Sequence, residues 1–372
     1  MLYNKIGNEK VSALGFGCMR FPQNGSEVDR ARTKKMIEAA YAAGVNYFDT
    51  AYVYHEQKSE EVMSEILRQY PRESYYIADK MPTWMGLTIP DCKKMFEESL
   101  SRLQTEYIDF YLIHSLTRQR FDTVVENGVL DWLLTEKEAG RIKYLGFSFH
   151  DSYSAFSHIL SYRQWDFCQI QLNYVDTGFQ AGLKGLSDAF SRGIPVVVME
   201  PVKGGALATL PDEMMFDFDT VNPGDTAASW ALRYTASQKG VAVTLSGMSN
   251  EEQVADNLKT FADFRPISAA EQEVLDKQAA IIKNRMFNPC TGCAYCMPCP
   301  YGVAIPSIFA AYNHYGMFRD KGKLLWDVGD IGKLHLPENC IKCGKCESNC
   351  PQSIQIRVEL DNAGKLIKEV LK

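Results

Sequence analysis

The chain has 372 residues with 46% hydrophobic and 23% charged side chains, a globular composition in a chain too long for one ordinary small domain. Its net charge of −6 and the absence of a concentrated basic patch argue against a nucleic-acid partner. The uncharged apolar stretches are only strand-length, and the first ten residues contain no apolar run that could act as a signal peptide, so we expect a cytoplasmic protein without a membrane partner.

The first 265 residues alternate short β-rich stretches with amphipathic ones. The β-rich stretches are nearly continuous in apolar residues, as in parallel strands that are covered on both sides. The predicted strands are residues 14–19, 47–51, 75–80, 108–114, 144–149, 167–173, 195–200 and 241–247. Eight such units predict an α/β fold, a parallel (β/α)8 TIM barrel. An open doubly wound sheet is disfavoured because no Gly-x-Gly-x-x-Gly turn follows the first strand.

Helical patterns lie between these stretches, for example over residues 28–44 and 89–103, where apolar side chains recur at helical spacing. Residues 268–284 predict a further helix that leads out of the barrel. We therefore expect a barrel domain over residues 1–284 and a second domain over residues 285–372.

Eight of the 11 cysteines lie in the second domain, in two groups that each end in Cys-Pro. The second group, over residues 340–351, has the ferredoxin spacing Cys-x2-Cys-x2-Cys-x3-Cys-Pro, whereas the first, over residues 290–300, has only two residues before its fourth cysteine. In such runs the fourth cysteine reaches the neighbouring cluster. We therefore predict two 4Fe–4S clusters with crossed ligation. The ligands are Cys290, Cys293, Cys296 and Cys350 for one cluster, and Cys340, Cys343, Cys346 and Cys299 for the other.

Two other interpretations of these cysteines are weaker. Zinc sites normally show two separated Cys-x2-Cys pairs per metal, and disulfides need an oxidising compartment. Residues 285–372 carry 11 Lys and Arg against 8 Asp and Glu, an excess that offsets the negative charge of thiolate-bound clusters. Residues 306–318 are apolar and helix-like, so we expect a small, mainly helical ferredoxin-type domain.

Polar residues stand at the carboxyl ends of three consecutive predicted strands, where barrel enzymes place their chemistry. Asp49 ends the second strand, with Tyr54 five residues later; Lys80 ends the third and His114 the fourth. Carbonyl reduction by hydride needs a proton donor. A lysine ammonium lowers the pKa of a nearby tyrosine, and an aspartate keeps that lysine charged. One such residue is more often a buried hydrogen-bonding group, but four together favour an active site.

These residues lie in motifs that resemble those of the aldo-keto reductases. The motifs are Gly-Val-Asn-Tyr-Phe-Asp-Thr-Ala-Tyr-Val-Tyr over residues 44–54, Ala-Asp-Lys over 78–80 and Tyr-Ile-Asp-Phe-Tyr-Leu-Ile-His over 107–114. The resemblance covers about residues 1–265, and the whole chain resembles the subgroup with a C-terminal iron–sulfur domain. It implies that Tyr54 is the general acid and that Lys80 modulates its pKa. It also implies that Asp49 pairs with Lys80 and that His114 orients the substrate carbonyl.

The resemblance further implies a nicotinamide cofactor. Ser148, Gln169 and Asn173 would bind the nicotinamide amide. The residues implied at the adenosine end are Ser246, Gly247, Met248, Ser249, Gln253 and Asn257. This chain departs from the family at three positions: Phe149 follows Ser148 in place of Asn, Met199 replaces an aromatic ring, and Gln253 replaces an arginine that would bind the 2′-phosphate of NADP. The choice between NADP and NAD therefore stays open.

Three functions fit two redox modules in one chain. We favour an NAD(P)-dependent oxidoreductase that interconverts a small carbonyl and an alcohol, with clusters that are structural or lie beside the site. The alternative is a ferredoxin-coupled reductase, in which the clusters relay electrons from a ferredoxin or flavodoxin to the barrel, with a flavin as an added carrier although no flavin motif is visible. The third is a non-enzymatic electron-transfer or redox-sensing subunit, which would have no need of Lys80 beside Tyr54.

Overall fold

The computed structural model describes residues 1–25 and 27–371, apart from the side chains of residues 318 and 371. Eight parallel strands form a closed barrel in which each strand pairs with its neighbours in sequence, and the last pairs with the first. In chain order, β1–β8 are Leu14–Gly17, Tyr47–Asp49, Tyr76–Pro82, Ile108–Leu116, Ile142–Phe149, Phe167–Gln171, Val196–Met199 and Val241–Ser246. The predicted TIM barrel is confirmed, and each predicted strand overlaps one of these.

The barrel interior contains a cluster of apolar side chains from its strands. All nine residues of β4 are buried, which explains why its sequence reads as one apolar run. The interior cluster is built mainly from Tyr47, Phe110, Leu112, Phe167, Val197, Val243 and Leu245. An antiparallel hairpin, Tyr3–Ile6 with Glu9–Ser12, adds Ile6 and Val11 to this cluster. The carboxyl ends of the strands are left for polar residues.

The helices follow the predicted pattern. In chain order, α1–α14 are Arg30–Ala42, Ser59–Leu67, Ile89–Leu103, Arg118–Glu126, Val129–Glu138, Tyr153–Tyr162, Gly182–Ser191, Asp212–Val221, Ala227–Ala236, Glu251–Ala262, Ala269–Arg285, Ile305–Phe318, Lys321–Ile331 and Ile356–Leu371. Helix α3 begins where the Thr88 hydroxyl accepts the Asp91 N–H, with Pro90 in its first turn, and it ends at Gln104 in a left-handed conformation. Local capping therefore fixes both ends at the predicted residues.

Contacts within the chain divide it into two compact units. The barrel unit comprises Met1–Pro201 and Ala228–Ile267, and the cysteine unit comprises Val202–Ala227 and Ser268–Lys372. The segment after β7, including α8, thus belongs with the cysteines, as does α11. The domain boundary between residues 284 and 285 stays a prediction.

The cysteine unit is mainly helical, as expected. The apolar faces of α12 and α14 form its core, which consists of Val303, Ile305, Ile308, Phe309, Tyr312, Ile354, Ile356, Leu360 and Ala363. Asn313 on α12 holds the start of the first cysteine group, because its side chain accepts the Phe287 and Asn288 N–H groups and donates to the Asn288 carbonyl. Gly204 has φ +66° and packs directly on the Thr291 carbonyl, where a Cβ would collide. Loop 202–227 is therefore packed against the first cysteine group.

In the part of the chain that the structure describes, no helix combines the length and apolar character needed to cross a membrane.

Candidate functional site

The four residues predicted to be catalytic lie in the loop after β2 and at the carboxyl ends of β2–β4. Asp49, Lys80 and His114 are each less than 5% exposed. The Lys80 ammonium donates to Asp49 Oδ1 at 2.5 Å and to the Thr50 carbonyl oxygen at 2.6 Å, and it lies 3.5 Å from the Tyr54 hydroxyl. One buried cation is thus shared by a carboxylate, a carbonyl and a phenol. The structure therefore brings Asp49, Tyr54 and Lys80 into direct contact.

Tyr54 is held by a backbone conformation that is costly for these residue types. His55, Glu56 and Gln57 follow it with φ of +50°, +53° and +71°, in the left-handed region. Each non-glycine residue in this region costs about 1–2 kcal/mol, so surrounding contacts must compensate. One such contact is the Phe21 N–H donating to His55 Nε2 at 3.2 Å. This strained turn directly follows Tyr54, whose hydroxyl lies 3.5 Å from the Lys80 ammonium.

His114 lies next to Tyr54. The two rings meet edge to face with centroids 6.0 Å apart, and the Trp84 ring lies 5.0 Å from His114. Burial, together with the positive charge of Lys80 and the neighbouring His150 and Arg120, lowers the pKa of His114 well below its ordinary value. His114 is therefore a neutral imidazole that can donate one N–H hydrogen bond.

Burial, and after it the Asp49 carboxylate, raises the pKa of Tyr54 well above its ordinary value near 10. Burial also raises the pKa of Asp49, against the opposing effects of Lys80 and Gln169. Lys80 lies 3.5 Å from the phenol and stabilises any negative charge that forms on it. The site therefore holds a protonated phenol with a cation placed to stabilise its conjugate base, which is the arrangement of a general acid.

Two residues predicted at the nicotinamide amide lie close to this group. Gln169 donates to Asp49 Oδ2 at 3.2 Å, and in the part of the chain that the structure describes its Oε1 has no hydrogen-bond partner although the residue is 1% exposed. The Ser148 hydroxyl accepts the Ser115 N–H at 2.7 Å and keeps its own proton to donate. Together they offer one acceptor and one donor, which is what a carboxamide requires.

Asn173 differs from these two. Its Oδ1 accepts the Val175 and Asp176 N–H groups, and its Nδ2 donates to the Asp176 carboxylate and the Glu200 carbonyl. All four hydrogen-bonding positions of its amide are thus used, three by the loop after β6 and one by Glu200 after β7. Its contact with a nicotinamide stays a prediction.

The residues predicted at the adenosine end lie together at the carboxyl end of β8 and the start of α10. Asn257 donates to the Ser246 hydroxyl at 2.8 Å, and Gln253 Oε1 accepts the Ser249 N–H at 2.7 Å. Gly247 lies against Arg20, since a Cβ there would come within 3.3 Å of the Arg20 side chain. Met248 is buried, and Ser249 is exposed.

Sequence reasoning missed Arg20, a cation that follows β1 by three residues. It lies beside Gly247, and its charge acts on Tyr54. A cation directly after the first strand of a barrel was the available signal, because loops after strands line the carboxyl face.

The structure places the cysteines of each group near one another, and their division into two crossed ligand sets stays a prediction. Cys296 is close enough to Cys293, Cys290 and Cys350 for their charges to affect it, and Cys346 is similarly affected by Cys340 and Cys343. A cavity of about 190 Å³ is lined by Cys296, Cys299, Cys340, Cys343 and Cys346. Cys299 thus faces the same cavity as the second group. The residues present fit the crossed ligand sets.

The cysteine side chains, all of which lie in the described part of the chain, do not converge on the position of a single metal ion. No three His, Cys, Asp or Glu side chains within residues 1–25 and 27–371 are arranged to hold a single metal ion. All eleven cysteines are free thiols, and Cys18, Cys92 and Cys168 are buried as predicted. Burial, followed by the other three cysteines of its set, raises the pKa of Cys296 to about 12. Binding of iron must therefore displace a tightly held proton.

Comparison with protein families agrees with both units. Residues 13–279 match the model described as the aldo/keto reductase family, and residues 289–354 match the 4Fe–4S dicluster domain. The chain therefore belongs to the aldo/keto reductase family. It is an oxidoreductase of that family that carries a 4Fe–4S dicluster domain.

Individual relatives cover most of the chain at low identity. L-galactose dehydrogenase from Arabidopsis thaliana is 24% identical over 75% of this chain and 93% of its own length. A probable voltage-gated potassium channel subunit beta from Oryza sativa is 25% identical over 77% of this chain and 98% of its own.

Solved structures support the barrel fold. An aldo-keto reductase from Bacillus halodurans in its holo form superposes with a TM-score of 0.63 at 24% identity, covering 74% of this chain and 96% of that one. An aldo-keto reductase from Klebsiella pneumoniae in complex with NADPH superposes with a TM-score of 0.61 at 20% identity, covering 75% and 96%. At these identities the likeness shows the fold.

Proposed function

We propose that the chain is an NAD(P)-dependent oxidoreductase that interconverts a small carbonyl and the corresponding alcohol. The observation that carries this proposal is the Lys80 ammonium, bonded to Asp49 and 3.5 Å from the Tyr54 hydroxyl. A tyrosine that only filled the core would not be supplied with a buried cation, because burying that cation costs several kcal/mol.

A nicotinamide held at this site would supply the hydride for the carbonyl carbon, or would accept it in the reverse direction. Tyr54 donates its phenolic proton to the carbonyl oxygen as negative charge develops there. Lys80 stabilises the phenolate that remains, and Asp49 keeps Lys80 charged and oriented. The neutral His114 donates an N–H hydrogen bond that orients the carbonyl oxygen. In oxidation of an alcohol the same proton returns to Tyr54.

The chain offers distinct groups for the two ends of the cofactor. Gln169 Oε1 and the Ser148 hydroxyl would hold the carboxamide. The groups at the other end would be Ser246, Gly247, Met248, Ser249, Gln253 and Asn257, with Arg20 added. Gln253 already accepts the Ser249 N–H and carries no charge for a 2′-phosphate, so both NAD and NADP are candidates.

The cysteine unit would hold two 4Fe–4S clusters, one on Cys290, Cys293, Cys296 and Cys350 and one on Cys340, Cys343, Cys346 and Cys299. Support comes from the electrostatic neighbourhood of Cys296 and from the cavity that Cys299 shares with the second group. Such clusters supply one-electron transfer or structural cross-links.

Carbohydrates are the first substrates to test. Relatives 24–27% identical to this chain include L-galactose dehydrogenase, 6-dehydroglucose reductase and D-galacturonate reductase. The anaerobically purified protein should oxidise NADPH or NADH in the presence of a sugar aldehyde, or of a simple aldehyde, and should reduce NAD(P)+ with a sugar alcohol or lactol. No turnover with any carbonyl or alcohol in either direction, by a protein with intact clusters, would exclude the proposal.

The ferredoxin-coupled reductase is the second candidate, and the exposure of Cys343 favours it. Of the eight ligand cysteines, Cys343 alone is exposed, so one edge of the second cluster would face solvent and a redox partner. The clusters can be reduced with dithionite and titrated with NAD+ or NADP+ without oxygen. Reoxidation of the clusters with formation of NAD(P)H would favour a relay. Clusters that stay reduced, in a protein that still turns over an aldehyde with NAD(P)H, would favour the self-contained reductase. In either case we expect a cytoplasmic enzyme.

A further inference from the structure

Behind Lys80, on the opposite face of β3, two acidic side chains are buried together. Asp79 on β3 and Glu60 on α2 are both 0% exposed. Successive residues of a strand point to opposite sides, so Asp79 faces the helical layer while Lys80 faces the barrel interior. Buried carboxyl groups are rare unless their charge is compensated.

The negative charges of Glu60 and Asp79 are only partly compensated by their surroundings. The Arg102 guanidinium donates to one Glu60 oxygen at 2.5 Å. The other Glu60 oxygen and both Asp79 oxygens receive no hydrogen bond of normal geometry from any residue in the described part of the chain. The Glu60 side chain is nevertheless close enough to Asp79 for its charge and a side-chain hydrogen bond to raise the pKa of Asp79. Two carboxylates have only acceptors, so they can bond to each other only when one carries a proton.

We propose that Glu60 and Asp79 share one proton, so that Asp79 is a neutral positioning residue behind Lys80. The proton converts two facing acceptors into a donor and an acceptor. It also sets the local charge: Glu60 pairs with Arg102 and Asp49 pairs with Lys80, and no negative charge is left over. Without the proton, one buried carboxylate would have no counterion, which is strongly destabilising.

The groups that surround the pair are consistent with a held proton. Burial, and after it the Glu60 charge, raises the pKa of Asp79 well above its ordinary value, against the weaker opposing effects of the Lys80 N–H and ammonium. The other facing groups are Arg102 on α3, Tyr111 on β4 and Tyr54 after β2, since the Asp79 charge acts on all three. Arg102 in turn stacks over the Tyr52 ring. Arg102 and Lys80 are the cations of this set, and each already has a carboxylate.

The shared proton matters for Tyr54. An ionised Asp79 would raise the pKa of Tyr54 further and make it a weaker proton donor. This consequence rests on the proposed function, whereas the shared proton does not.

Infrared spectroscopy of the wild-type holoprotein tests the proton directly. At neutral pH the protein should show the stretching band of a protonated carboxyl group, which carboxylates lack, and the band should disappear in Asp79→Asn. Asp131→Asn, an exposed carboxylate at the start of α5, is the matched control and should leave the band in place. A wild-type spectrum without the band would overturn the proposal. This part of the test uses only the wild-type protein and so does not depend on whether a variant folds. A band that persists in Asp79→Asn would also overturn it.

Stability against pH gives an independent test. The folded state keeps a proton that the unfolded chain loses above about pH 4, so the contribution of Asp79 to stability falls as pH rises toward the raised pKa. Asp79→Asn removes that fall. The melting temperature of Asp79→Asn minus that of wild type should therefore increase steadily with pH. The same difference for Asp131→Asn should not change with pH. Parallel curves for Asp79→Asn and wild type would contradict a shared proton.

The pH profile of turnover tests the effect on Tyr54. Because the asparagine of Asp79→Asn would mimic a neutral carboxyl, the alkaline limb of kcat/KM should fall at the same pH in this variant and in wild type. A limb shifted to lower pH would mean that Asp79 is charged in the working enzyme and would refute the assigned role. If the protein has no carbonyl or alcohol activity at all, the proposed function fails. The infrared and stability results still show whether Glu60 and Asp79 share a proton.

Discussion

The two candidate sites differ in what holds them together. In the barrel, Lys80, Asp49, Tyr54 and Gln169 are joined to each other by side-chain bonds, and the group is complete in the protein alone. In the cysteine unit six of the eight thiols pack against an apolar core, but all eight are partly or fully accessible and none is joined to another by a disulfide. The barrel site is therefore preorganised by the chain, whereas the cysteine sites depend on the groups they bind.

This difference has an energetic side. Preorganised polar groups cost little reorganisation when the reaction occurs, which is how enzymes stabilise transition-state charge. A thiol whose pKa is about 12, such as Cys296, must lose a proton to become a ligand, so metal binding and folding are coupled. We expect substitutions in the barrel site to affect turnover first, and substitutions among the cysteines to affect the integrity of their unit first.

The largest expected effect is that of Tyr54→Phe. Loss of the general acid should lower kcat/KM for carbonyl reduction by about 10²–10⁴-fold, because the developing alkoxide then has no donor. Iron content and the visible spectrum should not change. The matched control is Tyr52→Phe, since the Tyr52 hydroxyl bonds to Glu98 at 2.6 Å and is not part of the Lys80 group. A Tyr54→Phe enzyme with wild-type kcat/KM would remove the acid assignment.

Cys350→Ser tests the cysteine side of the comparison. It should lower the iron content from about eight to about four per chain, or convert one cluster. Crossed ligation predicts that its electron paramagnetic resonance spectrum resembles that of Cys296→Ser, and that Cys346→Ser loses the other signal. Cys92→Ala, at a buried cysteine outside both sets, should keep all the iron. If Cys350→Ser resembled Cys346→Ser, the crossed assignment would be wrong.

The sequence predicted the parts of the molecule that local pattern determines. Helix α3 was predicted at its observed bounds because the apolar spacing that defines it lies within the segment itself. The eight strands were predicted because a strand covered on both sides must be apolar along its length. Asp49, Lys80 and His114 could be identified because parallel strands bring their carboxyl ends to one face.

Contacts set by the closed barrel could not be predicted in this way. The bond between Gln169 and Asp49 joins residues 120 positions apart, and it forms only because β6 and β2 enclose the same interior. Arg20 beside Gly247 and Asp79 beside Glu60 likewise depend on how elements distant in sequence pack. Loop 202–227 reads as part of the barrel by its position in the chain, but it packs with the cysteine unit.

Substitution of His150 has the smallest expected effect. It tests whether solvent protons reach the buried groups of the barrel site. Burial lowers the pKa of His150 to about 4, even though a hydrogen bond to Gln180 opposes the shift. As the pH falls from about 8 to about 5, His150 takes up a proton in the unfolded chain but stays neutral in the folded protein. Wild type should therefore lose about 2 kcal/mol of stability from this residue as pH falls across that range.

His150→Gln should remove that loss, so its free energy of unfolding in urea should decline less than that of wild type between those pH values. His158→Gln is the matched control, because the His158 side chain is 38% exposed whereas His150 is buried. Wild type and His150→Gln declining in parallel would mean that His150 gains a proton in the folded protein. The protonated imidazole would then add a positive charge near His114, whose pKa is already lowered in part by His150. In that case solvent protons would reach the barrel site as readily as they reach the cysteine unit.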